Sequence, residues 1–249
     1  MVWVDTHCHL QLDRRPAAEL LERAQAVDWI VAPGIDAASS AASVALAAEY
    51  PGRVAATAGL HPHDAEHFES QWEAIAALAP MVAALGETGL DYYRDLSPRD
   101  AQRRSFQAHI ELALDMNKPL IVHCRDAFAD VFEMVERSGA APLTVLHCWT
   151  GGPRWTRRFL DLGVTFSFAG PVAFETGDTV RLGAALVPPE RAMVETDTPY
   201  LSPPPHRSEP NEPAWVALVG QALAKVWGMG VDAVAGATSE RARTVFGRP

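Results

Sequence analysis

Short β-rich runs recur along this chain, each followed by a longer stretch with helical periodicity, and eight such repeats leave few architectures open. The runs are Val2–Asp5, Trp29–Gly34, Val54–Gly59, Val82–Gly86, Leu120–His123, Thr144–His147, Val164–Phe168 and Met193–Glu195. Between them lie Ala17–Ala26, Ala37–Glu49, Gln71–Ala79, Pro98–Met116, Ala127–Ser138, Arg154–Leu162 and Thr179–Leu186, several opened by Pro, Ser or Asp as helix starts should be. Such alternation implies parallel strands joined by crossover helices. Eight repeats closing on themselves give an α/β fold of the (β/α)8 TIM-barrel type. An open doubly wound sheet is the alternative, but the chain lacks the Gly-rich phosphate turn after its first run. Two further helices, about Trp215–Trp227 and Val231–Phe246, complete the outer ring.

A length of 249 residues fits one such barrel and is short for two full domains with linkers, so residues 1–249 are expected to form a single domain. Hydrophobic residues make up 48% and charged residues 21%, a composition that supports a large packed core. No Ser/Gly linker, low-complexity tract or run of like charge marks a boundary. The one irregular segment, Ser202–Pro213, carries five prolines just after the eighth run and reads as a stiff, ordered loop at the barrel mouth. The N-terminal residues do not resemble a signal peptide, and no stretch reaches the roughly 20 apolar residues of a membrane span, so the expected location is cytoplasmic, with no membrane association. Cys8, Cys124 and Cys148 each follow a histidine in an expected strand and are read as small buried apolar residues on the opposite face, although an irregular strand would leave Cys8 open as a ligand. A net charge of −10 argues against a broad basic surface, so any nucleic-acid substrate must be held locally by metal ions and a few Arg or Lys residues.

Histidines and acids cluster where the runs end: "DTHCHL" with His7 and His9, "GETGLD" with Glu87, "VHCRDA" with His123, "LHCWTG" with His147 and "ETDTPYL" with Asp197. On a strand, residues two apart share a face, so His7 and His9 both point into the barrel. An H-x-H pair alone is weak, and His123 or His147 alone reads more simply as a satisfied core histidine. Glu87 is harder to dismiss, because a carboxylate following "VAALG" would be buried at a cost of several kcal/mol without a cation or hydrogen bonds. Asp197 has a bland alternative, capping a turn before Thr-Pro. Taken together, the six sit at the C-terminal ends of the expected strands, the face on which such barrels carry active sites. Imidazole and carboxylate are the usual ligands of divalent zinc, manganese or iron, and six suffice for two ions sharing one carboxylate. His61 and His63 follow the third run and Arg125 lies just past His123, where they could contact a phosphate oxygen or protonate a leaving group. Asp91, Tyr92 and Tyr93 occupy the next loop, where a tyrosine could stack on a base or simply pack. His67, His109 and His206 lack strand-end placement and read as ordinary surface or helix residues.

The motifs "DTHCHL", "AGLHPHD", "GETGLDYY", "PLIVHCRDA", "LHCWTG", "ETDTPYL" and "NEP", in this order over almost the whole chain, resemble the TatD family of metal-dependent hydrolases, described as deoxyribonucleases within the amidohydrolase-like barrels. The resemblance implies one metal held by His7, His9, Glu87 and Asp197 and a second by Glu87, His123 and His147, with Glu87 bridging. Thr88, Trp149 and Thr150 depart from the residues expected there and remove no ligand, while Asn211 and Glu212 match the "NEP" motif and would tie the proline-rich loop down. The expected activity is cleavage of DNA phosphodiester bonds, at single strands or ends, by two divalent ions (Zn, Mg or Mn) that lower the pKa of a bound water, with Asp197 orienting or deprotonating it and His61 assisting. Glu87, Asp197 and His61 are thus the expected catalytic residues, and His61, His63 and Arg125 the substrate contacts. No obligate protein partner is implied. Amide or ester hydrolysis on the same site is the second reading, since ligands alone do not choose between carbon and phosphorus centres. A non-catalytic metal-binding scaffold is the third.

Overall fold

Eight parallel strands pair in sequential order, each with the next, and form a nearly closed barrel surrounded by helices. The computed structural model describes residues 2–249. The repeats run β1 (Trp3–Asp5), α1 (Ala17–Arg23), β2 (Val27–Ala32), α2 (Ala37–Glu49), β3 (Val54–Ala58), α3 (Phe68–Leu78), β4 (Ala84–Asp91), α4 (Arg99–Met116), β5 (Leu120–Arg125) and α5 (Phe128–Ser138). They continue through β6 (Thr144–Leu146), α6 (Pro153–Leu162), β7 (Thr165–Phe168), α7 (Asp178–Ala184) and β8 (Ala192–Val194), after which α8 (Val216–Trp227) and α9 (Val231–Phe246) finish the ring. Backbone bonds close the seam between the last and first strands: Thr6 N–H to Val194 O (3.1 Å), Asp197 N–H to His7 O (2.8 Å) and His9 N–H to Thr198 O (2.9 Å). No single helix among the described residues is long and apolar enough to cross a membrane.

Strand alternation builds two apolar layers and sets the site above one of them. Val4, Val31, Ala55, Ile121, Val145 and Met193 form one buried cluster, closed off by Ala242 and Phe246 of α9. Their neighbours Leu120, Val122, Leu146 and Val194 pack instead in the larger cluster shared with the helices. Two residues beyond Ile121, Val145 and Met193 come His123, His147 and Glu195, so the pleat that fills the barrel also carries these side chains to its mouth.

The expected boundary of the fourth run shifts. The fourth strand begins at Ala84 and runs to Asp91, rather than spanning Val82–Gly86, because Gly86 and Gly89 serve close approach between strands instead of ending one. At Gly89 φ is +131°, and a Cβ there would lie 2.1 Å from the carbonyl oxygen of His123. The pairing register with β5 slips between Leu85 and Thr88, and the Gly86–Glu87 peptide is cis. β1 and β6 end before His7 and His147, yet backbone bonds continue from Cys8 N–H to Val31 O (3.0 Å) and from His147 N–H to Val122 O (3.1 Å). Of the three cysteines only Cys124 lies in a strand. Cys8 is wholly buried beyond β1, and Cys148 takes a left-handed φ of +43° after β6 and is only half-buried.

Gly89→Ala is expected to lose about 3–5 kcal/mol, combining backbone strain with overlap against a carbonyl that cannot retreat. Gly52, at φ +77° with nothing within 4 Å of an added Cβ, gives the control: Gly52→Ala should lose only about 1–2 kcal/mol. Urea unfolding of both variants measures the difference.

Candidate metal centre

The two oxygens of Glu87 face two different sets of imidazole nitrogens. Oε2 lies 3.1 Å from His7 Nε2 and 3.8 Å from His9 Nε2, and Asp197 Oδ1 completes that side at 3.4 Å from His9 Nε2 and 3.8 Å from His7 Nε2. Oε1 lies 2.9 Å from His147 Nε2, 3.1 Å from His123 Nδ1 and 3.3 Å from His61 Nε2. Within this assembly, His7–His9–Asp197, His7–Glu87–His147 and His61–Glu87–His123 are groups whose donor atoms are close enough to hold an ion. All six residues expected as ligands are therefore brought together, whereas Cys8 belongs to none of these groups.

Hydrogen bonds around the cluster fix which imidazole nitrogens carry protons. His147 Nδ1 faces Glu195 Oε1 at 3.2 Å and His123 Nε2 faces Asp91 Oδ2 at 3.1 Å; since a carboxylate only accepts, each of these nitrogens is the donor. When the rings are neutral, that leaves the lone pairs of His147 Nε2 and His123 Nδ1 aimed at Glu87 Oε1, an arrangement that needs a proton or a shared cation between them. His61 differs. Its Nδ1 accepts the backbone N–H of His63 at 3.2 Å, so Nε2 bears the proton and is a donor toward Glu87 rather than a free ligand.

Electrostatics agrees with a cation site. Burial works to raise the Glu87 carboxyl, but the imidazoles of His147, His61 and His7 outweigh it and hold the group well below the usual range. Asp197 is likewise held low despite burial, by His9 and His7. At His147 burial opposes a charge and is overcome by Glu87 and Glu195, so positive charge is favoured there, whether as a proton or as a metal ion. Burial pushes His61 down to about 4, leaving it neutral near pH 7, and pushes Asp5 up to about 8. Glu87, Asp91 and Asp197, all held low, gather negative charge that suits a cation. Asp197 has a left-handed φ of +61°, which Asp tolerates better than most residues and which coincides with the turn of its carboxylate toward His7 and His9.

The remaining expected residues divide. His63 is at the mouth, but its Nε2 is tied to Asp91 Oδ2 at 2.9 Å. Arg125 is exposed and its guanidinium lies 4.0 Å above the Tyr93 ring, outside the ligand cluster. Tyr92 bonds Asp130 through its hydroxyl at 2.6 Å and so takes the packing alternative. Asn211 ties the proline-rich loop down as expected, donating from Nδ2 to the carbonyls of Thr196 (2.8 Å) and Tyr200 (2.6 Å), and Glu212 meets Arg23 at 2.9 Å. His206 stacks on Trp215 at 4.0 Å and His67 is exposed.

Three residues that sequence reasoning passed over stand behind the cluster. Glu195 holds His147 and also accepts the Cys148 N–H at 2.6 Å; "ETD" was legible only for its Asp, although alternation from Met193 would have turned Glu195 inward. Asp5 accepts from Thr196 Oγ1 at 2.6 Å and Thr196 N at 2.9 Å, locking β1 to the segment after β8. His109 is the helix residue expected, but not an ordinary one. It is wholly buried on α4, where Nδ1 donates to Ser105 O at 2.7 Å and Nε2 accepts the Leu60 N–H at 3.2 Å, steadying the residue before His61.

Residues 4–247 match the family model described as TatD related DNase. The "Uncharacterized metal-dependent hydrolase YabD" of Bacillus subtilis is 34% identical over 250 residues, covering 97% of this chain and 98% of that protein. The "3'-5' ssDNA/RNA exonuclease TatD" of Rahnella sp. is 34% identical over 240 residues, covering 92% and 91%. Among solved structures, YJJV, a TatD homolog of Escherichia coli K12, superposes with a TM-score of 0.92 at 26% identity, covering 99% of this chain and 98% of that one.

His109 makes the hold on the His61 segment testable by pH. Burial depresses its folded pKa to about 4, below the unfolded value, so the unfolded chain binds more protons between those limits. Stability from this residue is complete above roughly pH 6.5 and falls by up to about 3 kcal/mol as pH drops toward 4. Urea midpoints measured over that range should fall less steeply for His109→Gln than for the wild type.

Proposed function

The chain belongs to the TatD-related DNase family of metal-dependent hydrolases, and from that membership together with the site we propose that it hydrolyses DNA phosphodiester bonds, acting on single strands or ends. The observation that carries this reading is Glu87 standing between two sets of imidazoles, at 3.1 Å from His7 and 2.9 Å from His147. His7, His9, Glu87 and Asp197 would hold one divalent ion, and Glu87, His123 and His147 a second. Such a pair supplies Lewis-acid polarisation of the scissile group and lowers the pKa of water toward neutrality. The exonuclease name of the Rahnella relative supports a nucleic-acid substrate. Three unpaired cysteines suit the reducing cytoplasm.

The chain's own residues have separable tasks. Asp197 Oδ1 faces His9, leaving Oδ2 to accept a proton from the attacking water. His61, neutral with its proton on Nε2 3.3 Å from Glu87 Oε1, would turn that proton from Glu87 toward a phosphoryl oxygen as charge builds there. Asp91 and Glu195 orient His123 and His147 from behind, and His63 acts through Asp91 rather than as a primary contact.

Protein stripped of metal and reloaded with Mg, Mn or Zn should cleave end-labelled single-stranded DNA, and Glu87→Ala should lose at least about a hundredfold in rate. Turnover of small esters or amides with no DNA cleavage would sink the phosphodiester reading and move the same site to carbon-centre hydrolysis. Glu195→Gln, which keeps the shape but weakens the hold on His147 Nδ1, should reduce metal affinity about 10- to 100-fold in a competitive chelator titration, with thermal unfolding little changed.

A further inference from the structure

Two tyrosines at the barrel mouth combine large exposure with a backbone fixed from below. Tyr93 and Tyr200 leave 60% and 58% of their surface exposed, while each sits in a turn held by a wholly buried polar side chain. Asp91 Oδ1 accepts the backbone N–H groups of Tyr93 (3.0 Å) and Arg94 (2.8 Å), while its Oδ2 faces His63 and His123. On the other side Asn211 holds the Tyr200 carbonyl, and the Tyr200 N–H donates to Asp197 O at 2.8 Å. The groups that shape the metal centre therefore also set the position of both rings.

The rings flank the centre. Tyr200 meets His9 edge-on, with ring centroids 6.1 Å apart, beside the His7–His9–Asp197 group. Tyr93 stands on the His123 side under the guanidinium of Arg125, which lies two residues past His123 on β5. Among the described residues the Arg125 guanidinium has no hydrogen-bond or ion-pair partner, so its N–H donors are open to an anion. A single exposed apolar side chain needs no explanation. Two aromatic rings on immobilised turns, one beside His9 and one beside Arg125 on the His123 side, call for one.

We infer that Tyr200 and the Tyr93–Arg125 pair are stacking platforms for unpaired bases on either side of the scissile phosphate, with Arg125 also contacting a backbone phosphate. This rests on the phosphodiester reading above. Every base has a face that stacks on an aromatic ring, so such recognition tolerates any sequence, but a base inside a duplex has no free face to offer. A guanidinium stacked on a ring keeps its in-plane donors available to phosphate oxygens. The platforms thus give the preference for single strands or ends a structural cause.

The test uses the metal-loaded enzyme and two short single-stranded oligonucleotides, one with natural bases and one abasic at its terminal positions. The wild type should favour the natural oligonucleotide in kcat/KM by roughly ten- to a hundredfold, and 2-aminopurine at those positions should be quenched on binding. Tyr200→Ala and Tyr93→Ala should each collapse much of that ratio and of the quenching. Tyr200→Leu, which keeps the bulk, should behave as the alanine variant, and Tyr200→Phe and Tyr93→Phe as the wild type. A ratio and quenching left intact in the alanine and leucine variants would overturn the inference. Quenching without cleavage would keep the platforms and reject hydrolysis, whereas cleavage indifferent to bases would reject the platforms and keep hydrolysis.

Discussion

A carboxylate buried among five imidazoles persists only if positive charge comes with it, and this demand organises the upper half of the barrel. Glu87 lies within 4 Å of ring nitrogens from His7, His9, His61, His123 and His147, which approach from the ends of four different strands. No local interaction in the chain assembles that set. It requires β1, β3, β5 and β6 to present their ends at one height around β4, which the unbroken sequential pairing of the barrel provides. Replacing such a site by apolar residues would often be neutral or stabilising for the fold, so its presence calls for a chemical rather than a structural explanation.

The precision of the site comes from residues one layer behind it. Asp91 bonds two histidines through one oxygen and a turn through the other, and Glu195 bonds a histidine and the following peptide. Each carboxylate thereby fixes a ring's tautomer and a loop's path together. That coupling explains why a displacement such as a Cβ at Gly89, pressed against the His123 carbonyl, would reach the chemistry as well as the fold.

The repeats and the clustering of the expected site residues were legible in the sequence because both follow strand periodicity: apolar alternation marks the strands, and the same alternation carries His123 and His147 to the mouth. Glu87 was legible through the cost of burying it unpaired. What was not legible depended on contacts between distant segments. Gly86 and Gly89 look like strand breakers until β5 is seen to press against them. His109 looks like one polar residue among others on α4, since only the folded barrel brings Leu60 within 3.2 Å of it. The division between His61 as donor and His123 as lone-pair bearer rests on a backbone N–H at one ring and a carboxylate at the other, and no spacing encodes that.

Charge decides how a chain of this composition can meet a polyanion. With a net charge of −10 the surface repels DNA at long range, and screening confines any local attraction to about 8 Å at physiological salt. In the centre itself the low-titrating carboxylates Glu87, Asp91 and Asp197 would offset the charge of bound cations rather than leave a large positive field. Backbone charge is then a poor source of affinity, and on the proposed reading a substrate is held by what touches it: a scissile phosphate at bound cations, one guanidinium, and base faces on tyrosine rings. A duplex offers such a site mostly repelling phosphates, while a frayed end or single strand offers bases as well. On the proposed reading, the acidity of the chain removes backbone charge as a source of affinity, and base stacking then decides in favour of unpaired substrate.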